Sequence, residues 1–315
     1  MTLSNCNVII SIKYTMQNQM KTENIDIADL SIIYLTYDEP KKEEFWIKIQ
    51  NMVPWAKRVD GIKGIDAAHK SAALASSTDR FILIDGDNIP DPDFFNHSLC
   101  LDKVSYNKVF RWRAKNQING LQYGNGGLSC WTKEFVANMR THEASDNRPE
   151  NNVEFCFHPD YWAMRDCYST TYPNATKKQA FRAGFREGVK MCLDRGVKPE
   201  LAEFEKRVHS RNYDHLSIWH NVGADVENGP WAMYGARLGT YMTMLTDWDY
   251  TQVESFTAID TIWDKNKDHA IAEEVDYKLS NTLGMTLLDL DEEQSKFFKH
   301  HYKSNFKNQG IMLRE

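Results

Sequence analysis

Along the first half of the chain, near-continuous apolar runs alternate with stretches of helical character. Residues Asp29–Thr36 and Phe81–Asn88 have the pattern of strands covered on both faces. Trp55–Asp60 predicts a further strand. Between these runs, Lys41–Met52 predicts a helix entered through Tyr37-Asp-Glu-Pro40, with Pro40 suited to a first helical position. Gly61–Ala73 predicts a glycine-containing turn running into a helix of small residues, which can lie close to a sheet. Strand, helix, strand, helix, strand is the order of an α/β fold. Farther on, Asn107–Lys115 alternates with period two, but Val109, Arg111 and Arg113 face one way and Lys108, Phe110 and Trp112 the other, so neither face is cleanly apolar. Tyr123–Trp131 predicts a glycine-rich loop entering a strand, and Thr132 is placed to cap the helix that follows. Thr141–Asn152 is long and polar enough for a lid, and Val153–Asp160 predicts a strand feeding a turn.

The second half changes character. Ala175–Leu193 predicts the strongest helix, with an apolar stripe at Phe181, Phe185, Val189 and Cys192 beside a row of cations at Lys178, Arg182, Arg186 and Lys190. Asn212–Trp219 reads as helix, Val222–Trp231 as a tight loop, and Trp231–Leu245 as a long helix of small residues. The organisation expected is an extension over residues 1–28, with Val8–Tyr14 as an edge strand or tether, then a sheet domain over 29–200 and a mainly helical region over 201–315.

Composition narrows the class. With 315 residues, 42% of them hydrophobic, the chain can bury a substantial core. No apolar run is long enough to span a bilayer, and Lys13 interrupts the short apolar stretch near the start, so a cytoplasmic protein with no membrane partner is expected. The six cysteines show no metal-binding spacing and read as small buried hydrophobes. A net charge of −6 weighs at first against a polyanion partner. Its distribution changes the picture: Thr246–Glu315 carries fourteen acidic against eight basic residues, whereas Lys177–Lys198 carries seven basic and two acidic. The row from Lys178 to Lys190 is therefore either a solvated helix face or a surface whose self-repulsion a bound polyanion relieves. The acidic tail shows no catalytic pattern, and packing or homo-oligomer formation is its expected role.

The chemistry concentrates at the end of the second apolar run. Asp85 and Asp87 close a buried strand, where ligands collect in open α/β sheets. Gly86 between them lets the backbone bend and approach a ligand. Two hard oxygen donors so placed suit Mg²⁺ or Mn²⁺ holding a diphosphate. The plainer reading is an Asp-Gly-Asp turn. The loop at Tyr123–Trp131 has neither the lysine nor the spacing of a nucleotide-binding phosphate loop.

The order of elements leading into Asp85-Gly86-Asp87 resembles the nucleotide-sugar half of GT-A glycosyltransferases, over about residues 28 to 175. Tyr123–Trp131, Phe181–Lys190 and Val222–Gly229 resemble glycosyltransferases of tailed bacteriophages, some linked to sugar modification of hydroxymethylated DNA bases. The resemblance implies a GT-A-like α/β fold, that is, a Rossmann-like nucleotide-sugar-binding mixed sheet with flanking helices, followed by a helical C-terminal extension. It implies a metal-dependent glycosyltransferase using Mn²⁺ or Mg²⁺ and a UDP-sugar. The implied acceptor is 5-hydroxymethylcytosine or a related hydroxymethylated pyrimidine in DNA, and the location the host cytoplasm if phage-encoded. Asp87 is then the direct metal ligand, with Asp85 and Gly86 at the ribose or metal.

The resemblance also assigns roles elsewhere. Thr36, Tyr37, Asp38 and Glu39 become uridine contacts, though capping and turn formation explain Asp38 and Glu39 equally well. Asp60 becomes a base or ribose contact, or is ordinary loop chemistry. Asp66 and Lys70 face the nucleotide, with Lys70 at a phosphate, or form a surface ion pair. Asn125, Gly126 and Gly127 line the sugar and acceptor pocket. Glu154 and Asp160 are candidates for the base that takes the acceptor proton, a role a retaining enzyme does not need. His220, Asp225 and Glu227 are the choices for completing the metal shell, with His215 beside them and Glu227 also on the acceptor side. Lys178, Arg182, Arg186 and Lys190 would meet DNA. The alternatives are the same chemistry on a protein, glycan or lipid-linked acceptor, and a non-catalytic binding protein on a transferase scaffold.

Overall fold

The computed structural model describes residues 22–139, 158–208, 210–302 and 313–314, excepting the side chains of 123–126 and 313–314. The expected strand at Val8–Tyr14, the lid at 141–152, Glu154 and most of the 153–160 strand lie outside the described residues. The described chain is mixed α/β in two compact units. One takes the residues up to Lys115, Tyr123–Thr171 and 313–314; the other takes Asn116–Gln122 and the residues from Tyr172 to 302. The units therefore interleave along the chain, and the helix expected to belong with the sheet belongs with the second unit.

In the first unit the strands are β1 (Glu23–Asp26), β2 (Ser31–Thr36), β3 (Lys57–Asp60), β4 (Arg80–Asp85), β5 (Asn88–Pro90), β6 (Ser98–Leu101), β7 (Val109–Asn116), β8 (Gln122–Thr132), β9 (Tyr161–Thr171) and β10 (Leu313–Arg314). The helices are α1 (Lys42–Met52), α2 (Ile65–Ala75) and α3 (Lys133–Asn138). The main sheet runs β10-β9-β7-β8-β4-β2-β3, with β5 paired to β9, while β1 and β6 form a separate antiparallel pair. β2 lies parallel between β3 and β4, and β4 is antiparallel to β8.

Side-chain alternation sorts the two flanking helices onto opposite faces. Ile33 and Leu83 pack in one cluster with Ala72 and Ala73 of α2 and with Trp131. Tyr34, pointing the other way, stacks on Trp46 of α1 with ring centroids 5.9 Å apart. Cover on both faces explains the apolar runs within β2 and β4.

β7 is a strand as expected. Its residues from Val109 to Ala114, including Arg111 and Arg113, are all buried, so its two mixed faces are those of a strand covered on both sides. Tyr123–Trp131 is likewise strand throughout, within β8, and not a loop. Thr132 caps α3 as expected, accepting from the Phe135 amide at 3.1 Å. Of the cysteines, Cys130 and Cys192 are buried, whereas Cys100 is exposed and so is not a core residue.

The second unit is helical: α4 (Lys177–Met191), α5 (Phe204–Arg207), α6 (Ser210–Asn221), α7 (Gly229–Leu245), α8 (Phe256–Asn266), α9 (Ala272–Thr282) and α10 (Glu292–His301). Phe181, Phe185 and Val189 of α4 form its core with Tyr234 and Leu238 of α7 and with Ile259, Ile262, Val275 and Leu279. What fixes the α4–α7 pair is the absence of side chains. A Cβ on Gly184 would stand 1.9 Å from the Ala232 oxygen, and one on Gly188 would stand 2.2 Å from the Ala236 oxygen. In return, Gly235 and Gly239 of α7 would meet the Phe181 and Phe185 oxygens at 2.3 and 2.4 Å. Backbone lies on backbone at four places. Among the described residues no helix is long and apolar enough to cross a membrane.

This contact sets opposing effects against each other in Gly184→Ala. Helix propensity favours alanine by about 1 kcal/mol, whereas overpacking costs about 1–3 kcal/mol or more when the neighbour is backbone that cannot rotate away. The variant should lose about 2 kcal/mol in urea denaturation. Stability equal to or above the parent would show that the two helices separate easily.

Candidate functional site at the end of β4

β4 is buried from Arg80 to Ile84 and opens only at Asp85, which pairs in register with Leu35 of β2. Tyr34 reaches the same place from within β2: its hydroxyl donates to the Gly86 carbonyl at 2.8 Å, and the Lys42 carbonyl lies at 3.3 Å. A buried tyrosine keeps its polar tip by finding such a partner. The Thr171 hydroxyl, at the end of β9, hydrogen-bonds the Asp87 carboxylate.

Two glycines make room around this turn. Gly127 in β8 has φ +67°, a region that side chains rarely adopt, and a Cβ there would lie 3.1 Å from the Asp85 side chain and from Asn88 Nδ2. Above Gly86, the space a Cβ would take is held by Glu39, whose Cδ would be 2.4 Å away. Glu39 is itself positioned by the Tyr37 amide, which donates to it at 2.8 Å. Three carboxylates thus converge on one turn.

Their charges act on one another. Desolvation, then Asp87 and Glu39, pushes the Asp85 carboxyl up to about 7. Desolvation and Glu39 push Asp87 up to about 6 against the hydrogen bond from Thr171. By area Asp85 is exposed and Asp87 partly so, although protein surrounds both as densely as an interior. A crevice that admits water accounts for both, and the upward direction follows from like-charge repulsion as well as burial. Among the described residues no cation is one of the groups acting most strongly on either.

Beside this turn, the expected uridine contacts are engaged with each other. Thr36 is buried, and its hydroxyl donates to Asp60 at 2.7 Å. Lys42 bonds Asp60 at 2.7 Å, and Arg58 lies 3.4 Å from it while gripping Glu43 with both guanidinium nitrogens. Hydrogen bonds from Lys42 and Thr36 hold Asp60 below the usual carboxylate range. Thr36 is therefore a strut rather than a ligand contact. Tyr37, 44% exposed, and Asp38 remain on the surface, whereas Glu39 turns inward to the carboxylates.

Other expected residues take structural roles. Asp66 and Lys70 form the ion pair, 2.6 Å apart. Lys108 pairs with Asp160 and so occupies one oxygen of that candidate base. Gly127 lies at the carboxylates, Asn125 and Gly126 lie along β8, and the Asn125 side chain and Glu154 are outside the described residues.

The expected metal-shell residues of the second unit are likewise committed within it. His220 is fully buried, its Nε2 3.0 Å from the Thr240 hydroxyl, and burial pushes its pKa down to about 3. Burial also lowers His215, to about 4. Asp225 is almost completely buried against Lys299 at 2.5 Å. Asn174 binds the Glu227 carbonyl at 2.8 Å, leaving that side chain exposed.

The cationic row is corrected most clearly. Asp260 of α8 accepts from Arg182 Nε at 2.7 Å and from Lys178 at 3.0 Å. Arg182 and Arg186 also lie over the Phe256 ring, at 5.4 and 5.2 Å. Asp260 thus offsets the repulsion at Lys178 and Arg182, Arg186 lies against an aromatic ring, and Lys190 has its own partner.

Sequence reasoning missed Tyr34 and Thr171. A tyrosine inside an otherwise apolar strand was the available signal for the first; nothing local marks the second.

The class defined by these observations is a mixed α/β protein with an acidic turn at a strand's carboxyl end. No family model, curated protein or solved structure matches the chain. Among the described residues no group of three or more His, Cys, Asp or Glu is arranged to hold a metal by itself. Asp85 and Asp87 nevertheless fit a magnesium-like ion, which takes one or two carboxylates and fills its other positions with water and substrate phosphate.

The raised carboxyls give a signed pH dependence. Both bind protons more tightly folded than unfolded, so the stability they contribute is fully present below about pH 4 and is lost as pH rises toward their folded values near 6 and 7. In EDTA, Asp85→Asn should flatten the decline of Tm between about pH 4 and 7. Identical declines in variant and parent would refute the shared repulsion.

Proposed function

We propose that the protein is a metal-dependent glycosyltransferase with a GT-A-like sheet, which moves a sugar from a UDP-sugar to an acceptor hydroxyl. The observation that carries this reading is the convergence of Asp85, Asp87 and Glu39 on one turn, with no cation of the described residues among the groups acting most strongly on the two aspartates. A divalent cation bound there with a diphosphate supplies neutralisation of the leaving group. Asp87 and Asp85 would hold Mn²⁺ or Mg²⁺, with Glu39 as the third negative charge. Tyr34 and Thr171 position the turn, and Gly127 keeps side-chain bulk away from it. The base for the acceptor hydroxyl is assigned to Glu154 or Asp160 by resemblance alone.

The acceptor we infer is hydroxymethylated pyrimidine in DNA, again on resemblance. One observation favours a second reading: Asp260 engages Lys178 and Arg182, which weakens the physical argument for a polyanion at the start of α4. A protein, glycan or lipid-linked hydroxyl then stands beside the DNA base.

The test is incubation of hydroxymethylated DNA with a panel of UDP-sugars and Mn²⁺, followed by mass spectrometry of the digested nucleosides. A sugar mass increment supports the DNA reading. Hydrolysis of a UDP-sugar without DNA labelling supports the second acceptor class, and neither product refutes the function. Asp87→Asn should abolish turnover while retaining cooperative unfolding. Full activity in that variant would refute the role given to the carboxylates.

A further inference from the structure

The cations downstream of α4 have a different setting from those along it. The chain leaves α4 through a two-residue turn in which Asp194 and Val197 exchange both backbone hydrogen bonds, at 2.9 and 3.0 Å. Its central residues are Arg195 at φ +51° and Gly196 at φ +85°. A turn with two positive φ values favours Asn, Asp or Gly at its first central position. Arginine is an unfavourable occupant there. Strained positions of this kind cluster at ligand sites.

Arg195 borders a cavity of about 400 Å³ with Asp194, Val197, Lys198, Pro199 and Arg207. The volume falls within the range of small-molecule sites, about 300–1,000 Å³. Arg207 pairs with Asp194 at 2.8 Å, and Lys198 donates to the Thr246 carbonyl at 3.2 Å, an interaction that leaves its charge uncompensated. Among the lining residues, three cations face one carboxylate, an excess of two positive charges. A phosphate monoester carries about −1.5 to −2 at neutral pH, and a backbone phosphodiester one negative charge, both of the sign this excess attracts. Guanidinium forks match its oxygens in pairs, and an ammonium adds a point charge.

We propose that this cavity in the helical unit binds a phosphate group, through Arg195 and Lys198 with Arg207 at the rim. It is distinct from the carboxylate turn of the first unit and does not depend on the activity proposed for that turn. The volume exceeds that of a bare phosphate, leaving room for the organic group that carries it. The phosphate comes either from a small phosphorylated molecule or from the backbone of a nucleic acid.

The test titrates the full chain with inorganic phosphate, with thymidine 5′-monophosphate and with an eight-residue thymidine oligonucleotide, by calorimetry at low salt. Arg195→Asn removes the charge while suiting the left-handed backbone, and Arg207→Gln keeps a donor toward Asp194. Each should weaken binding about tenfold or more, as loss of a charge-assisted contact does. Lys48→Gln, at an exposed i,i+4 pair elsewhere, should change nothing. Saturable binding of the monophosphate alone identifies a small ligand, and binding of the oligonucleotide identifies a backbone phosphate. The proposal is overturned if no probe binds the parent, or if both arginine variants, shown by thermal melts to be folded, bind as the parent does.

Discussion

Like-charge repulsion at the carboxyl end of β4 is the constraint on which the first unit turns. Three carboxylates left to themselves in water would separate, but here the backbone does not let them. Asp85 is held by its ladder to β2, Gly86 by the Tyr34 hydroxyl, Asp87 by Thr171, and Glu39 by the Tyr37 amide. The restraints come from β2, from the turn after it and from β9, so several parts of the first unit together oppose the repulsion. A proton or a cation at the turn relieves it, and a scaffold that opposes it beforehand spends little reorganisation when the charge arrives.

The network at Thr36, Asp60, Lys42, Arg58 and Glu43 shows the contrasting solution a few residues away. There every carboxylate named has a cationic partner, and Asp60 stays readily ionised. Adjacent strand ends thus carry acidic groups of opposite character: one set balanced by its own side chains, the other with no cation of the described residues among its strongest influences. Spacing alone does not distinguish them, because balance depends on which residues the fold brings alongside.

The same distinction governs what was legible beforehand. β2, β4, α1, α2 and α4 follow from hydrophobic patterning, since each buries a continuous run or a stripe whose period the chain displays. β9 was missed because its middle residues are polar and partly exposed, so neither alternation nor an apolar run marks it. The glycines of β8 predict a loop, because glycine usually breaks strands, yet at Gly127 the missing side chain is what admits Asp85. The acidic pair itself was legible, but Glu39 beside it was legible only as a turn residue. The cations of α4 misled for a similar reason: Asp260 lies 78 residues beyond Arg182, and periodicity carries no information about such a partner.

The helical unit is organised by omission in the same way. Where α4 and α7 meet, four glycines allow main chain to touch main chain, and large residues on either side close the cluster. Surface charges can drift and aliphatic residues exchange for one another as such a chain diverges. Those four positions have no substitute that fits. In a lineage whose sequences have otherwise parted company, two glycine pairs, each spaced by four residues and separated by about fifty, would be the signature that survives longest.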